Sequence, residues 1–275
     1  MTSTILITGC SSGIGLDAAR TLAARGWRVF ATCRKAEDAA RLEGEGLESL
    51  VLDYADPDSV AAAVAEVAAR TSGRLDALFN NGAFAIPGPL EDLTRDAMEA
   101  QFHANFLGWH DLTVRAIPLM RANGGGRIVN CSSVLGLVAA QWRGAYCATK
   151  FAVEGWSDAL RLEMADANIH VSLIEPGPIA TRFRPNAVAA FNDWVDWENS
   201  ARADQYRADL LAKLHEGSGA SRFRLPPSAV TEKLINALES PRPRPRYFVT
   251  KPTYIADILR RTLPTRLLDR VISRA

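Results

Sequence analysis

Short apolar runs alternate along this chain with longer segments whose apolar positions recur every three or four residues, the periods of strand and helix respectively. Residues 4–7, 27–32, 47–52, 76–79, 127–131 and 170–174 read as strands, and 247–250 as a last one. Helical patterns follow the first run to Arg25 and then cover 57–71, 94–120, a segment through Tyr146 to about 166, and 227–238. Strands rich in apolar residues on both sides, separated by helices, predict an α/β domain with a parallel, doubly wound sheet of about seven strands and helices on both faces. No internal repeat interrupts the alternation, so residues 1–275 are expected to form a single domain.

Two regions depart from this rhythm. Residues 183–225 lose strand periodicity and carry Phe183, Phe191, Trp194, Trp197, Tyr206 and Phe223. They are either a lid over a substrate crevice or ordinary core. After an extended linker, Pro241 to Arg246, in which proline and arginine alternate, residues 254–272 alternate apolar and basic positions at helical spacing. That tail could dock on the body, meet a partner, or lie on an anionic membrane.

Composition narrows the function classes. The apolar fraction is 48% and the net charge +1, so no overall field calls for nucleic acid. The charge is uneven, however: residues 241–275 carry +7 and the remainder −6, a basic appendix on an acidic body. Cys10, Cys33, Cys131 and Cys147 show no metal-ligand spacing, and the four histidines are scattered. Buried thiols without disulfides, no metal and a reducing compartment are expected. The N-terminus shows no secretory pattern and no apolar run approaches a membrane span, so a cytoplasmic protein is expected, peripheral at a membrane surface if the tail binds there.

The candidate chemistry lies at the predicted strand ends. Thr8-Gly9-Cys10-Ser11-Ser12-Gly13-Ile14-Gly15 follows the first strand and opens a helix. This context suits a phosphate-binding loop, because glycines let the backbone approach a pyrophosphate at the positive end of the helix. The second strand ends at Cys33-Arg34-Lys35, where an acidic residue would select NAD and a basic one accommodates the extra phosphate of NADP. NADP(H) is therefore the expected cofactor. Asp53, after the third strand, either caps its region or touches the adenine. Asn80 and Asn81, closing the fourth, either bond a cofactor ribose or hold the strand ends together. Asn105 lies inside a helical pattern among Phe102, Phe106 and Leu107, where an asparagine needs a reason: core hydrogen bonding or a water relay. Ser133 ends the fifth strand. Tyr146 and Lys150, four apart on a helix, share one face, which brings an ammonium near a phenol and favours its ionised form. Pro176 and Gly177 break the sixth strand. Ligands of doubly wound sheets gather at such carboxyl ends, so these groups are expected in one crevice.

Taken together, the Gly9-Gly13-Gly15 loop, Asn80-Asn81-Gly82-Ala83, Asn105, Ser133, Tyr146 with Lys150 and Pro176-Gly177 resemble the short-chain dehydrogenase/reductase family, in its single-domain oxidoreductase branch. The chain is similar, more loosely, to hydroxysteroid and retinol dehydrogenase-like members. The resemblance implies a Rossmann-type fold, an NADP(H)-dependent exchange between a carbonyl and an alcohol on an apolar steroid-, retinoid- or lipid-like substrate, and a homodimer or homotetramer packed through the Asn105 and Tyr146 helices. It implies Tyr146 as acid/base, Lys150 as the cation lowering its pKa and bonding the nicotinamide ribose, Ser133 as the group polarising the carbonyl, and Asn105 as a water anchor. Gly9, Ser11, Gly13 and Ile14 would line the pyrophosphate, Arg34 the 2′-phosphate, Asp53 the adenine and Asn80 the ribose, with Pro176, Gly177 and Thr181 at the nicotinamide end. The family usually reads Asn-Asn-Ala-Gly where this chain has Asn80-Asn81-Gly82-Ala83, which is expected to move the freedom for positive φ by one residue. A catalytically idle dinucleotide sensor or scaffold is the competing reading, since a fold alone does not fix an activity.

Overall fold

A computed structural model describes residues 2–215 and 223–273. Residues 216–222, part of the 183–225 region, and Arg274 in the basic tail lie outside the described residues.

Seven strands form the sheet: β1 (Thr4–Ile7), β2 (Arg28–Cys33), β3 (Glu48–Val51), β4 (Ala77–Asn80), β5 (Gly126–Cys131), β6 (Ile169–Glu175) and β7 (Arg246–Phe248). Their spatial order is β3-β2-β1-β4-β5-β6-β7 and every neighbouring pair is parallel. The chain turns back between β1 and β4, so a crevice opens there at the carboxyl edge, as the alternating pattern required. The helices are α1 (Gly13–Ala24), α2 (Ala36–Gly44), α3 (Pro57–Thr71), α4 (Arg95–Phe102), α5 (Gly108–Ala122), α6 (Gly144–Glu163), α7 (Phe183–Trp194), α8 (Ala203–Gln205), α9 (Leu211–His215), α10 (Ser228–Glu239), α11 (Lys251–Thr262) and α12 (Thr265–Ile272).

Burial on both faces explains why the strands read as unbroken apolar runs. Ile5, Ile7, Val29 and Ala31 join the core packed by α1, α2 and α10, whereas Leu6, Phe30, Leu78 and Ile128 join the one packed by α3 and α5. Each of the larger of these side chains contributes roughly 1.5–3 kcal/mol on burial, which offsets the conformational entropy lost by ordering the sheet.

Residues 183–215 build a smaller core of their own. Phe191, Tyr206, Leu210 and Leu214 pack with Trp142, Ile86 and Leu93, and Tyr206 donates to Asp92 Oδ2 at 2.8 Å.

Three elements differ from the sequence reading. The helix expected over 94–120 is interrupted by a π-helical turn, His103–Leu107, with Asn105 buried at its centre. The tail helix breaks at Leu263-Pro264 into α11 and α12, because proline restricts the preceding residue to extended backbone. Arg246 is neither linker nor free charge: it starts β7 and bonds Glu154, Asp158 at 2.6 Å and Glu175 at 3.0 Å.

Candidate active site

The glycine loop is pinned before it can bind anything. Thr8 Oγ1 donates to the Phe79 carbonyl and accepts from Tyr54 Oη at 2.7 Å, Asn81 N at 2.9 Å and Gly82 N at 3.1 Å. Gly9 has φ +70°, and a Cβ there would stand 2.7 Å from Gly82 Cα. A Cβ on Gly15 would stand 2.4 Å from the Gly9 carbonyl oxygen. Those contacts admit only glycine. The α1 N-terminus is left open to an anion, since Ser12 makes no side-chain capping bond and no acidic residue lies in the first turn. The residues present therefore fit the pyrophosphate of a dinucleotide. Ser11 and Ile14 lie within this loop and its helix entry, and Thr181 approaches from the far side: a Cβ on Gly13 would come 3.0 Å from Thr181 Cγ2.

At the end of β2, Arg34 is exposed, and Lys35 pairs with Glu37 at 3.2 Å. Arg41, which no sequence pattern singles out, donates from its guanidinium to the Ser11 carbonyl at 2.8 Å and so ties α2 to the loop. Asp53 accepts from Ala55 N at 3.0 Å, the capping alternative, while remaining half-buried at the strand edge.

Both asparagines at the end of β4 hold strand ends together. Asn80 is fully buried; its amide donates to Thr113 Oγ1 at 3.0 Å and Asn130 Oδ1 at 2.9 Å, and its oxygen accepts from Tyr54 at 3.0 Å. This side chain faces inward with both polar atoms engaged. Asn81 donates to the Thr8 carbonyl at 2.9 Å. The turn that follows uses no positive φ at Gly82 or Ala83. Gly82 serves there by its small size, with Tyr54 and Gly9 against it, so the expected shift of backbone freedom does not occur.

Asn105 takes the hydrogen-bonding role. Its amide accepts from Phe84 N at 3.1 Å and donates to Phe84 O at 2.8 Å and Thr149 Oγ1 at 3.3 Å, reaching the residue beside Lys150. The π-helical turn inserts an extra residue into the helix, a distortion often met at functional sites. Gln101, one turn earlier, clamps the same loop through Ile86 N and Phe84 O.

Ser133, Tyr146 and Lys150 converge as expected. Val134 N donates to the Pro176 carbonyl at 2.8 Å, which fixes the Ser133 loop against the end of β6. Gly177 is required by crowding, since a Cβ there would lie 2.1 Å from Thr250 Oγ1. Lys150 is buried; Nζ donates to the Cys131 carbonyl at 2.8 Å and lies 4.4 Å from the Trp109 ring centre and 5.5 Å from that of Tyr146. Burial pulls its pKa down to about 8, with Cys131 and Glu154 opposing. Burial also raises the Tyr146 phenol well above its ordinary value, while the Ser133 hydroxyl and the Arg143 charge favour the ionised form. Burial outweighs these in the net balance, and Arg143, three residues earlier, is a further cation whose charge favours the ionised phenol. The Phe183 and Tyr146 rings pack edge to face with centroids 5.3 Å apart, with Ala187 and Ala85 beside them.

Behind Lys150 lies an acidic cluster that its sequence spacing hid. Glu154 and Glu175 are both buried on Arg246, and each keeps one oxygen without a partner. Burial raises both, Glu175 to about 8. Among the described residues no group of three or more His, Cys, Asp or Glu could hold a metal ion, and no helix is long and apolar enough to cross a membrane.

The family described as short chain dehydrogenase matches residues 3–191. The chain belongs to the short-chain dehydrogenase/reductase family. It is 44% identical over 273 residues to the uncharacterized oxidoreductase YbbO of Escherichia coli, covering 99% of this chain and 94% of that one. It is 35% identical over 262 residues to human 17-beta-hydroxysteroid dehydrogenase type 1, covering 90% and 77%. A solved short-chain dehydrogenase from Streptomyces avermitilis superposes with a TM-score of 0.76 at 27% identity, covering 98% of this chain and 93% of that one. The protein is an oxidoreductase of this family, served by a nicotinamide dinucleotide.

Proposed function

We propose that the protein is an NADP(H)-dependent oxidoreductase that interconverts a carbonyl and an alcohol on an apolar substrate, of the steroid, retinoid or lipid-like kind. The observation that carries this reading is the Tyr146 phenol, held beside Ser133 and Lys150 and walled by Phe183, Ala187 and Leu135. A polar reacting end with apolar walls suits an apolar ketone or aldehyde. When bound, the nicotinamide supplies or accepts the hydride. Ser133 donates to the substrate oxygen, Tyr146 exchanges the proton with it, and the Lys150 ammonium, fixed on Cys131, stabilises negative charge on the phenol oxygen.

Selection of NADP(H) rests on Arg34, exposed at the end of β2, where no carboxylate occupies the position that would favour NAD. The described residues 183–215 act as the substrate lid, an assignment supported by Phe183 and Ala187 lying on the catalytic ring and by the core behind them. The intact set of Ser133, Tyr146 and Lys150 disfavours an idle sensor. Leu107, Val114, Phe151 and Leu162 are exposed in the Asn105 and Tyr146 helical segments, which supports a homodimer or homotetramer packed there.

The test is a screen of ketones, aldehydes, steroids and retinoids with NADPH and NADH, read by nicotinamide absorbance. Turnover of larger apolar carbonyls with NADPH is expected. Equal use of both cofactors refutes the Arg34 assignment, and no turnover of any member favours the sensor.

A further inference from the structure

The C-terminal helices pose a question that hydride transfer does not answer. Helix α11 is held to the body by its inner face: Thr253 and Ala256 are buried, and the Arg260 guanidinium lies over the Phe151 ring at 5.8 Å. Its outer face presents Ile255 and Ile258, 52% and 59% exposed. After the Leu263-Pro264 break, α12 buries none of its residues. Leu267 and Val271, spaced i,i+4 and 45% and 44% exposed, form one apolar stripe with the half-buried Leu268 and Ile272. Arg266 and Arg270 share the opposite flank, and neither guanidinium has a carboxylate partner among the described residues.

We propose that α12, together with the outer face of α11, docks on an anionic lipid surface. Water leaves the outer half of the apolar stripe unsatisfied: the protein's own body half-buries Leu268 and Ile272 and leaves Leu267 and Val271 exposed. On a second copy the exposed apolar residues Leu107, Val114, Phe151 and Leu162 lie on the helical segments already assigned to the oligomer, which leaves the tail stripe to another partner. A lipid interface answers both stripe and arginines within the width of one helix: acyl chains meet Leu267 and Val271, while the arginine stems run upward to place their charges among anionic headgroups. The segment 251–273 supplies five basic residues against two acidic ones, so the attraction survives its single internal pair, Arg261 with Asp257 at 2.9 Å.

The experiment uses the full chain, sedimented with phosphatidylglycerol–phosphatidylcholine vesicles and with pure phosphatidylcholine vesicles over a range of salt. Binding to the anionic vesicles is expected, weakening as salt rises, with little binding to the neutral ones. The double variant Arg266→Gln/Arg270→Gln should lose about 30-fold in binding, roughly fivefold for each arginine near the surface. Leu267→Ser/Val271→Ser should lose binding as well. Circular dichroism checks that the variants fold, which their exposure favours, and the salt series on the unsubstituted protein stands without them. Equal sedimentation with both vesicle types, or with neither, overturns the proposal. If the serine variant instead halves the mass measured by light scattering and leaves vesicle binding unchanged, a second copy covers this face and the lipid assignment fails.

Discussion

The Lys150 ammonium lies 4.4 Å from the centre of the Trp109 ring while donating to the Cys131 carbonyl at 2.8 Å. One contact supplies a fixed hydrogen bond and the other an aromatic face, and both favour the charged amine that burial opposes. With its pKa at about 8, Lys150 is charged below that pH and loses its charge above it. Carbonyl reduction should therefore decline on the alkaline side of about 8, and Trp109→Leu should move that limb downward by up to about one pH unit, the worth of a desolvated cation–π contact. A pH profile of kcat/KM checks this; an unmoved limb removes Trp109 from the role.

Tyr146→Phe keeps the ring that packs on Phe183 and deletes only the hydroxyl that carries the exchanged proton. Turnover should fall about 10²–10⁴-fold with NADPH binding retained, measured by fluorescence titration.

Arg143→Gln removes a positive charge that favours the ionised phenol. The Tyr146 pKa should rise in the variant, a shift readable by ultraviolet titration of the phenolate against Tyr146→Phe. A fall would reverse the assigned sign.

Arg34→Ala should raise KM for NADPH by about 10-fold or more and leave KM for NADH nearly unchanged, since a charge-assisted bond to the extra phosphate contributes about 1.5–3 kcal/mol. Steady-state kinetics with both cofactors decide it.

Glu175 has a folded-state pKa of about 8 against an ordinary 4.5, so between these values the native state binds the extra proton. Its contribution to stability is present below about 4.5 and is lost as pH rises toward 8. Glu175→Gln holds the hydrogen-bonding shape without the titration, so its melting temperature should fall less steeply over this window than that of the unsubstituted protein. Parallel curves would show that Glu175 does not titrate there.

The sequence by itself determined the sheet, the order of its helices and the edge at which chemistry gathers. Those follow from local rules: apolar period distinguishes strand from helix, and right-handed crossovers place every strand end on one side. It also determined the spacing of Gly9, Gly13, Tyr146 and Lys150, because a turn and a helix face are set within a few residues. What each side chain meets was decided only by the tertiary structure. Asn80 turns inward because Asn130, 50 residues away, pairs beside it. Arg246 looked like part of a basic tail until β7 carried it 92 residues back to Glu154. Phe183 packs on Tyr146 through the placement of α7, and only the fold leaves Leu267 and Val271 of α12 exposed. Sequence periodicity says that a face is apolar, whereas burial depends on which distant segment arrives against it.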